Sequence, residues 1–321
     1  MEPLGHASAK TLALELPRQT WAVGGGKGGV GKSLVTVGLA YWLGRLKKRV
    51  ILVDADLGGA NLHTMLGIRI PEATLEDFLL RKVEDLEDVL LDTTLPNVRL
   101  LAGGSEIPSL ANPNFNQKRR LLRALDRLSA DYMLVDLGAG STLTVLDFFL
   151  ASPYKLVVMR PQPTSVQNAY GFIKAALFRR LSNILRPTEL RRLLEGSHGQ
   201  EDRPVPQSVE EVLEEVSLNA PEALKAVRQA VDSFNVQLVV NMARNPKEEG
   251  FGRVIAEVCH RYLEIDVNPL GSIPFDPSVD RWASRMDLGT FGQEGADGAL
   301  RATYEVAYAM LSKFGQMNQA A

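Results

Sequence analysis

Cysteine is almost absent from this chain of 321 residues: Cys259 is the only one. A single thiol excludes disulfides within the chain and metal centres built from several cysteines. Set in "GRVIAEVCHRYL", it reads as a buried apolar residue. Long apolar runs are missing too, since nothing approaches the roughly 18 uninterrupted residues of a membrane-spanning helix. The start of the chain places Lys10, Glu15 and Arg18 around a short "TLALEL". It lacks the long apolar core and small-residue cleavage site of an export signal, so a cytoplasmic location is expected. Net charge is small: 36 Lys and Arg against 38 Asp and Glu leave −2. That balance argues against a general positive coat for nucleic acid and leaves only local patches.

What is present is a chain 45% apolar and long enough to bury a large core. Short β-branched runs, each followed by a helical pattern, recur at "TWAVGG" (20–25), "RVILVDA" (49–55), "VRLLAG" (98–103), "YMLVDLG" (132–138), "YKLVVMR" (154–160), "VQLVVNM" (236–242) and "NPLGSIP" (268–274). Helices are expected at 33–46, 117–129, 141–151, 165–185, 250–263 and 296–315. This alternation predicts a single α/β domain over 20–315, a mostly parallel sheet of about seven strands with helices on both faces. An N-terminal extension (1–19) and a short tail (316–321) flank it. The stretch 186–234 is too long for one crossover. Its middle, 195–224, is rich in Glu with prolines at 204, 206 and 221, and the stretch reads as an inserted pair of helices around an exposed loop, with Ser208 and Asn219 as caps. Either a solvated acidic embellishment or a partner-docking element fits that composition.

Residues 24–33 read "GGGKGGVGKS". A strand ending in glycines and turning into a helix at Lys32-Ser33 points backbone N–H groups inward, and the helix start adds positive partial charge, so the turn suits a phosphate chain. Gly26, Gly28, Gly29 and Gly31 permit unusual φ values and close approach of backbone to ligand. Lys32 can reach terminal phosphate oxygens, and the Ser33 hydroxyl can bind Mg²⁺. The match to G-x-x-x-x-G-K-[ST] is complete, and its context between strand and helix is the one that signature requires. A P-loop NTPase domain is the expected fold.

Three carboxylates and an amide follow at strand ends. Asp54 and Asp56, in "VILVDADLGGANLH", lie two apart on a strand edge where open α/β sheets bind ligands, although the pair can also simply cap a turn. Asp136 ends the apolar run of "DYMLVDLGAGS", where a buried charge calls for a cation, and Gly138 and Gly140 follow as flexible points. Asn241 ends "VQLVVNM" and can pair with both donor and acceptor positions of adenine, or serve as a turn residue.

Lys27 is surplus to a single phosphate site, and with it the segment "KGGVGKS" resembles the deviant Walker A motif of the MinD/ParA group of P-loop ATPases. The resemblance covers about 20–185 and 235–315 and extends to "GSIPFD" (271–276); "DADLGGANLHTMLG" is similar to the corresponding segment of flagellar number regulators (FlhG/FleN) and of MinD. It implies a Mg²⁺- and ATP-dependent switch that hydrolyses ATP slowly, dimerises with ATP and separates with ADP, controls the position or number of a cellular structure, and answers to a protein activator or cargo. It further implies that Lys27 crosses to the partner subunit's nucleotide, that Lys32 and Asp56 act in hydrolysis with Asp56 positioning water, and that Ser33, Asp54 and Asp136 hold the metal. Val30 and Leu34 complete the nucleotide-binding set, with Asn241 at the base. Where the family often has Pro after the third aspartate, this chain has Leu137, and the cysteines of the iron–sulfur branches are missing. The last helix has one lysine after Arg301 and ends in Gln and Ala, so membrane association is expected to be weak or absent. DNA contact would fall to "QKRRLLRALDR" (117–127) or to Arg179, Arg180, Arg186, Arg191 and Arg192. A ParA-like DNA-binding partition ATPase and a slow-turnover nucleotide-binding scaffold are the competing readings.

Overall fold

The computed structural model describes residues 18–104, 113–185, 206, 208–279 and 298–314. In chain order the elements are β1 (Gln19–Gly24), α1 (Lys32–Arg45), β2 (Val50–Ala55), α2 (Leu62–Met65), α3 (Leu75–Leu79), β3 (Leu90–Asp92), β4 (Val98–Leu101), α4 (Phe115–Arg127), β5 (Tyr132–Leu137), α5 (Leu143–Ala151), β6 (Tyr154–Met159) and α6 (Pro163–Ile184). They continue with α7 (Val209–Asn219), α8 (Leu224–Asp232), β7 (Val236–Ala243), α9 (Pro246–Glu249), α10 (Phe251–Leu263), β8 (Val267–Pro274) and α11 (Ala299–Phe314).

Eight strands among the described residues make one sheet in the order β3-β4-β2-β5-β1-β6-β7-β8. Only β3 runs antiparallel to its neighbour. The expected seven were therefore one short. Leu90–Asp92 is three residues long and not fully buried on either face, so it gives no apolar run to read, and it adds on by pairing with β4.

Strand alternation divides the core into two layers. Ala22, Ile51, Val53, Met133 and Val135 face a layer built with α3 to α8 and α10. Trp21, Val23, Val50, Leu52 and Leu134 face the opposite layer, built with α1 and α11. Residues one apart on a strand point to opposite faces, so both layers draw on the same short runs. Cys259 lies in the first layer with no exposed surface, and burial pushes its thiol up to about 12.

Local chemistry sets several helix ends. Asn114 and Gln117 cap each other at the start of α4. Thr142 accepts the N–H of Val145, so α5 begins at Leu143 rather than two residues earlier. Ser208 accepts the N–H of Glu211 and starts α7 as expected; Asn219 is the last residue of that helix. The expected pair of helices in 186–234 is thus present as α7 and α8, while 186–205 lies outside the described residues. Of the two readings weighed for this stretch, solvated embellishment fails for the helices. Val209, Val212, Val216, Val227 and Val231 are fully buried in the core, and the glutamates line the outer face.

Val216→Ala should therefore cost about 2 kcal/mol, as a buried apolar truncation does. Glu214→Ala on the exposed face should stay within about 0.5 kcal/mol. Urea unfolding of both variants measures the difference, and equal small effects would contradict a structural role for α7.

Candidate nucleotide-phosphate site

Between β1 and α1 the chain turns through residues 25–31. Gly29 and Gly31 adopt φ of 76° and 88°, in the left-handed region. A side chain at Gly31 would also put Cβ 2.2 Å from Nδ2 of Asn241, and one at Gly26 would meet the Asn168 carbonyl oxygen at 2.0 Å. The loop is thus clamped by α6 at one end and by β7 at the other. Between the clamps, Lys27, Gly28 and Gly29 are exposed, while Val30 and Lys32 are buried.

The first turn of α1 has neither an acidic residue nor a side-chain cap. Its backbone N–H groups and positive end are left for an external anion. Lys32, only 8% exposed, turns inward and interacts with Asp136, whereas Lys27 has no ion pair among the described residues. The two lysines of the loop therefore face different environments.

Asp54 and Asp136 occupy matching positions on the adjacent parallel strands β2 and β5. Asp54 has no exposed surface and Asp136 is 2% exposed. Burial pushes Asp136 up to about 7, aided by the negative charge of Asp54 and opposed by hydrogen bonding from Ser33 and Thr36 and by the charge of Lys32. Thr36 Oγ1 lies 3.3 Å from Asp136 Oδ1. Burial likewise raises Asp54 to about 6, opposed by backbone donors. Its Oδ2 accepts the N–H groups of Asn61 and Leu62, both at 2.9 Å, and Oδ1 accepts that of Asp56 at 3.3 Å. Asp54 thereby organises the turn into α2, a use close to the turn-capping alternative.

Asp56 is half-buried at the end of β2. A Cβ at Gly138 would sit 3.0 Å from its Oδ1 and one at Gly59 3.3 Å from its Oδ2, so the carboxylate is nested between the loops that follow β2 and β5. A Cβ at Gly28 would stand 3.8 Å from Ala139, which brings the phosphate loop against the same β5 loop. Lys32, Ser33, Asp54, Asp56 and Asp136 thus belong to one rim of the sheet.

Asn241 has a use that the sequence did not reveal. It is 2% exposed, its Nδ2 donates to the Val30 carbonyl at 2.9 Å, and its Oδ1 accepts the N–H of Met242 at 3.0 Å. A bulge near the end of β7 puts Met242 at φ 63° and holds the amide against the loop. Leu34 and Asn241 line a small cleft with Pro274 and Phe275 beside the helix start. Thr36, one turn beyond Lys32 and Ser33 on the same helix face, was missed; its spacing from Ser33 was the available signal.

Two arginines of the expected DNA patch are held within the fold. Arg179 Nε pairs with Asp147 Oδ1 at 3.1 Å and its side chain is 13% exposed. Arg180 donates to Ser233 Oγ at 2.7 Å and lies over the Phe234 ring. Both are engaged within the fold, because α6 packs against α5 and α8; Arg186, Arg191 and Arg192 lie outside the described residues. No helix among the described residues is long and apolar enough to cross a membrane.

A buried lysine, an uncapped helix start, a hydroxyl and two adjacent buried carboxylates fit a polyphosphate with a divalent cation. The fold and this rim define a nucleotide-binding α/β domain of the P-loop class. The model of the CobQ/CobB/MinD/ParA nucleotide binding domain matches residues 21–288, and the chain belongs to that family. It is 35% identical over 266 residues to the antiactivator FleN of Pseudomonas aeruginosa, covering 82% of this chain and 76% of FleN. It is 33% identical over 160 residues to the flagellum site-determining protein YlxH of Helicobacter pylori, covering 48% of this chain and 52% of YlxH, so it aligns with only about half of that relative. Among solved structures, the Mg-ADP complex of the septum site-determining protein MinD from Pyrococcus horikoshii superposes with a TM-score of 0.63 at 20% identity, covering 94% of this chain and 98% of that one.

Two outcomes follow from this geometry. Asn241→Ala should lower stability by about 1–3 kcal/mol in the absence of any nucleotide, because Val30 and Met242 lose their buried partner. An asparagine serving only a base would leave nucleotide-free urea unfolding unchanged. Since the folded state raises Asp54 to about 6 and Asp136 to about 7 from 3.8, it binds protons more tightly than the unfolded chain. Stability without metal or nucleotide should therefore fall as pH rises from about 4 to about 7 and stay low above that window. Asp136→Asn should raise the melting temperature in chelator at about pH 8, and the gain should vanish near pH 4.

Proposed function

We propose that this protein is a Mg²⁺- and ATP-dependent dimerising switch of the MinD/ParA type, which sets the position or number of a flagellum or of the division site. The observation that carries the reading is the opposite disposition of the two loop lysines, Lys32 buried beside Asp136 and Lys27 exposed. It is supported by the 35% identity to FleN and by the likeness to YlxH, a flagellum site-determining protein.

In this reading the backbone of residues 26–33, including Gly28, Gly29 and Val30, cradles the phosphates, and Lys32 neutralises their terminal charge. Ser33, Asp54 and Asp136 hold Mg²⁺, which supplies charge neutralisation on the transferred phosphoryl group when bound. Asp56 orients the attacking water from its seat between Gly59 and Gly138. Leu34 and Asn241 border the base. Lys27 reaches the nucleotide of a second subunit, and the exposed part of the loop, Lys27, Gly28 and Gly29, is the face that meets it. Turnover is slow and raised by a protein partner, so the output is location or partner choice. ATP binding favours the dimer, and ADP the monomer.

Lys27→Ala should bind ATP with affinity within about threefold of the wild type, a difference of under about 1 kcal/mol. It should remain monomeric with ATP in sedimentation runs in which the wild type dimerises. An undiminished ATP-induced dimer of Lys27→Ala would remove the trans role.

A further inference from the structure

We propose that Thr36 is a positioning residue for the metal site: its hydroxyl fixes the Asp136 carboxylate in the orientation from which that group holds Mg²⁺. The inference rests on the reading of Ser33, Asp54 and Asp136 as the residues that hold Mg²⁺. Thr36 itself lies outside the G-x-x-x-x-G-K-[ST] signature, which ends at Ser33.

Helix geometry brings it there. Residues three and four apart share a helix face, so Thr36 stands beside both Ser33 and Lys32 at the start of α1. All three act on Asp136, Ser33 and Thr36 by hydrogen bonding and Lys32 by charge. Of the three, Thr36 alone has no exposed surface, so water does not replace its donor.

The hydroxyl has one proton and two acceptors in reach. Its Oγ1 lies 2.9 Å from the Lys32 carbonyl oxygen and 3.3 Å from Asp136 Oδ1, and a threonine hydroxyl donates only once. The Lys32 carbonyl has the backbone N–H of Thr36, four residues on, as its regular helical partner. It can do without the hydroxyl. Asp136 is removed from water beside a second carboxylate, and each donor it loses leaves charge uncompensated.

The surrounding sequence gives the hydroxyl no packing reason. From Leu34 to Ala40 the helix reads "LVTVGLA", in which Thr36 is the only polar side chain. Valine has the same branched shape and would avoid the cost of burying a hydroxyl. What threonine adds is the contact with Asp136. The torsion that turns a carboxylate about its Cβ–Cγ bond is broad, so an anchor on Oδ1 sets the plane of the whole group.

The test is calorimetric titration of ADP into the full nucleotide-free chain, once in chelator and once with millimolar Mg²⁺. The ratio of the two dissociation constants measures what Mg²⁺ adds. Thr36→Val should cut that ratio about fivefold or more, while its affinity for ADP in chelator stays within about threefold of the wild type. Thr36→Ser, which keeps the hydroxyl, should hold the ratio within about twofold of the wild type. Binding in chelator shows that a variant is folded, and Thr36→Ala takes the place of Thr36→Val if that one is not. An unchanged ratio in Thr36→Val overturns the inference. Equal loss of affinity with and without Mg²⁺ also overturns it, because the role is then merely structural, as does a Thr36→Ser ratio no higher than that of Thr36→Val. A wild type whose ADP affinity ignores Mg²⁺ overturns the metal-site reading instead, and the inference falls with it.

Discussion

Two carboxylates buried side by side, Asp54 and Asp136, are the constraint around which the rest of the site is arranged. Like charges at matching positions on neighbouring strands, removed from water, oppose each other's ionisation. The fold answers from two directions. On the β5 side, Ser33 and Thr36 hydrogen-bond to Asp136 while Lys32 approaches as its counter-charge, which requires α1 to start directly above β5. On the β2 side, backbone N–H groups of Asp56, Asn61 and Leu62 converge on Asp54 and shape the turn into α2. Remaining unfavourable charge is what a divalent cation would relieve, so part of the nucleotide-free stability is given up to keep the site ready.

The phosphate loop is held as firmly as those carboxylates, but only at its ends. Asn168 closes against Gly26 and Asn241 against Val30 and Gly31, whereas nothing lies within 4 Å of a Cβ at Gly29. The clamped end holds Val30 and Lys32 buried, and the open part carries Lys27 outward. One short sequence thus serves an internal site and an exposed rim. The β5 loop, reached by Asp56 at Gly138 and by the phosphate loop at Ala139, joins the two.

Helices α7 and α8, away from the site, contribute through packing. α7 and α8 close the first core layer against α6 and α10, using a valine stripe that the glutamates of the same segment obscure in the sequence. The arginines of α6 are also engaged within the fold, through their charge. Arg179 and Arg180 look like a surface patch when read along the chain, yet one is paired to α5 and the other lies over Phe234.

By itself the sequence determined the class of fold, the strand ends on which the carboxylates sit and the loop between β1 and α1, because these follow from local periodicity and from glycines whose backbone freedom is a property of the residue. Seven of the eight strands could be read for the same reason, and β3 could not, since three residues carry no periodic signal and pair only because β4 is already in place. Tertiary structure alone decided which residues were committed inward. The hold of Asn241 on Val30, the contact of Thr36 with Asp136 and the pairing of Arg179 with Asp147 join positions 211, 100 and 32 residues apart. A hydrogen bond across such separations depends on the relative placement of packed elements, which no single stretch of chain encodes.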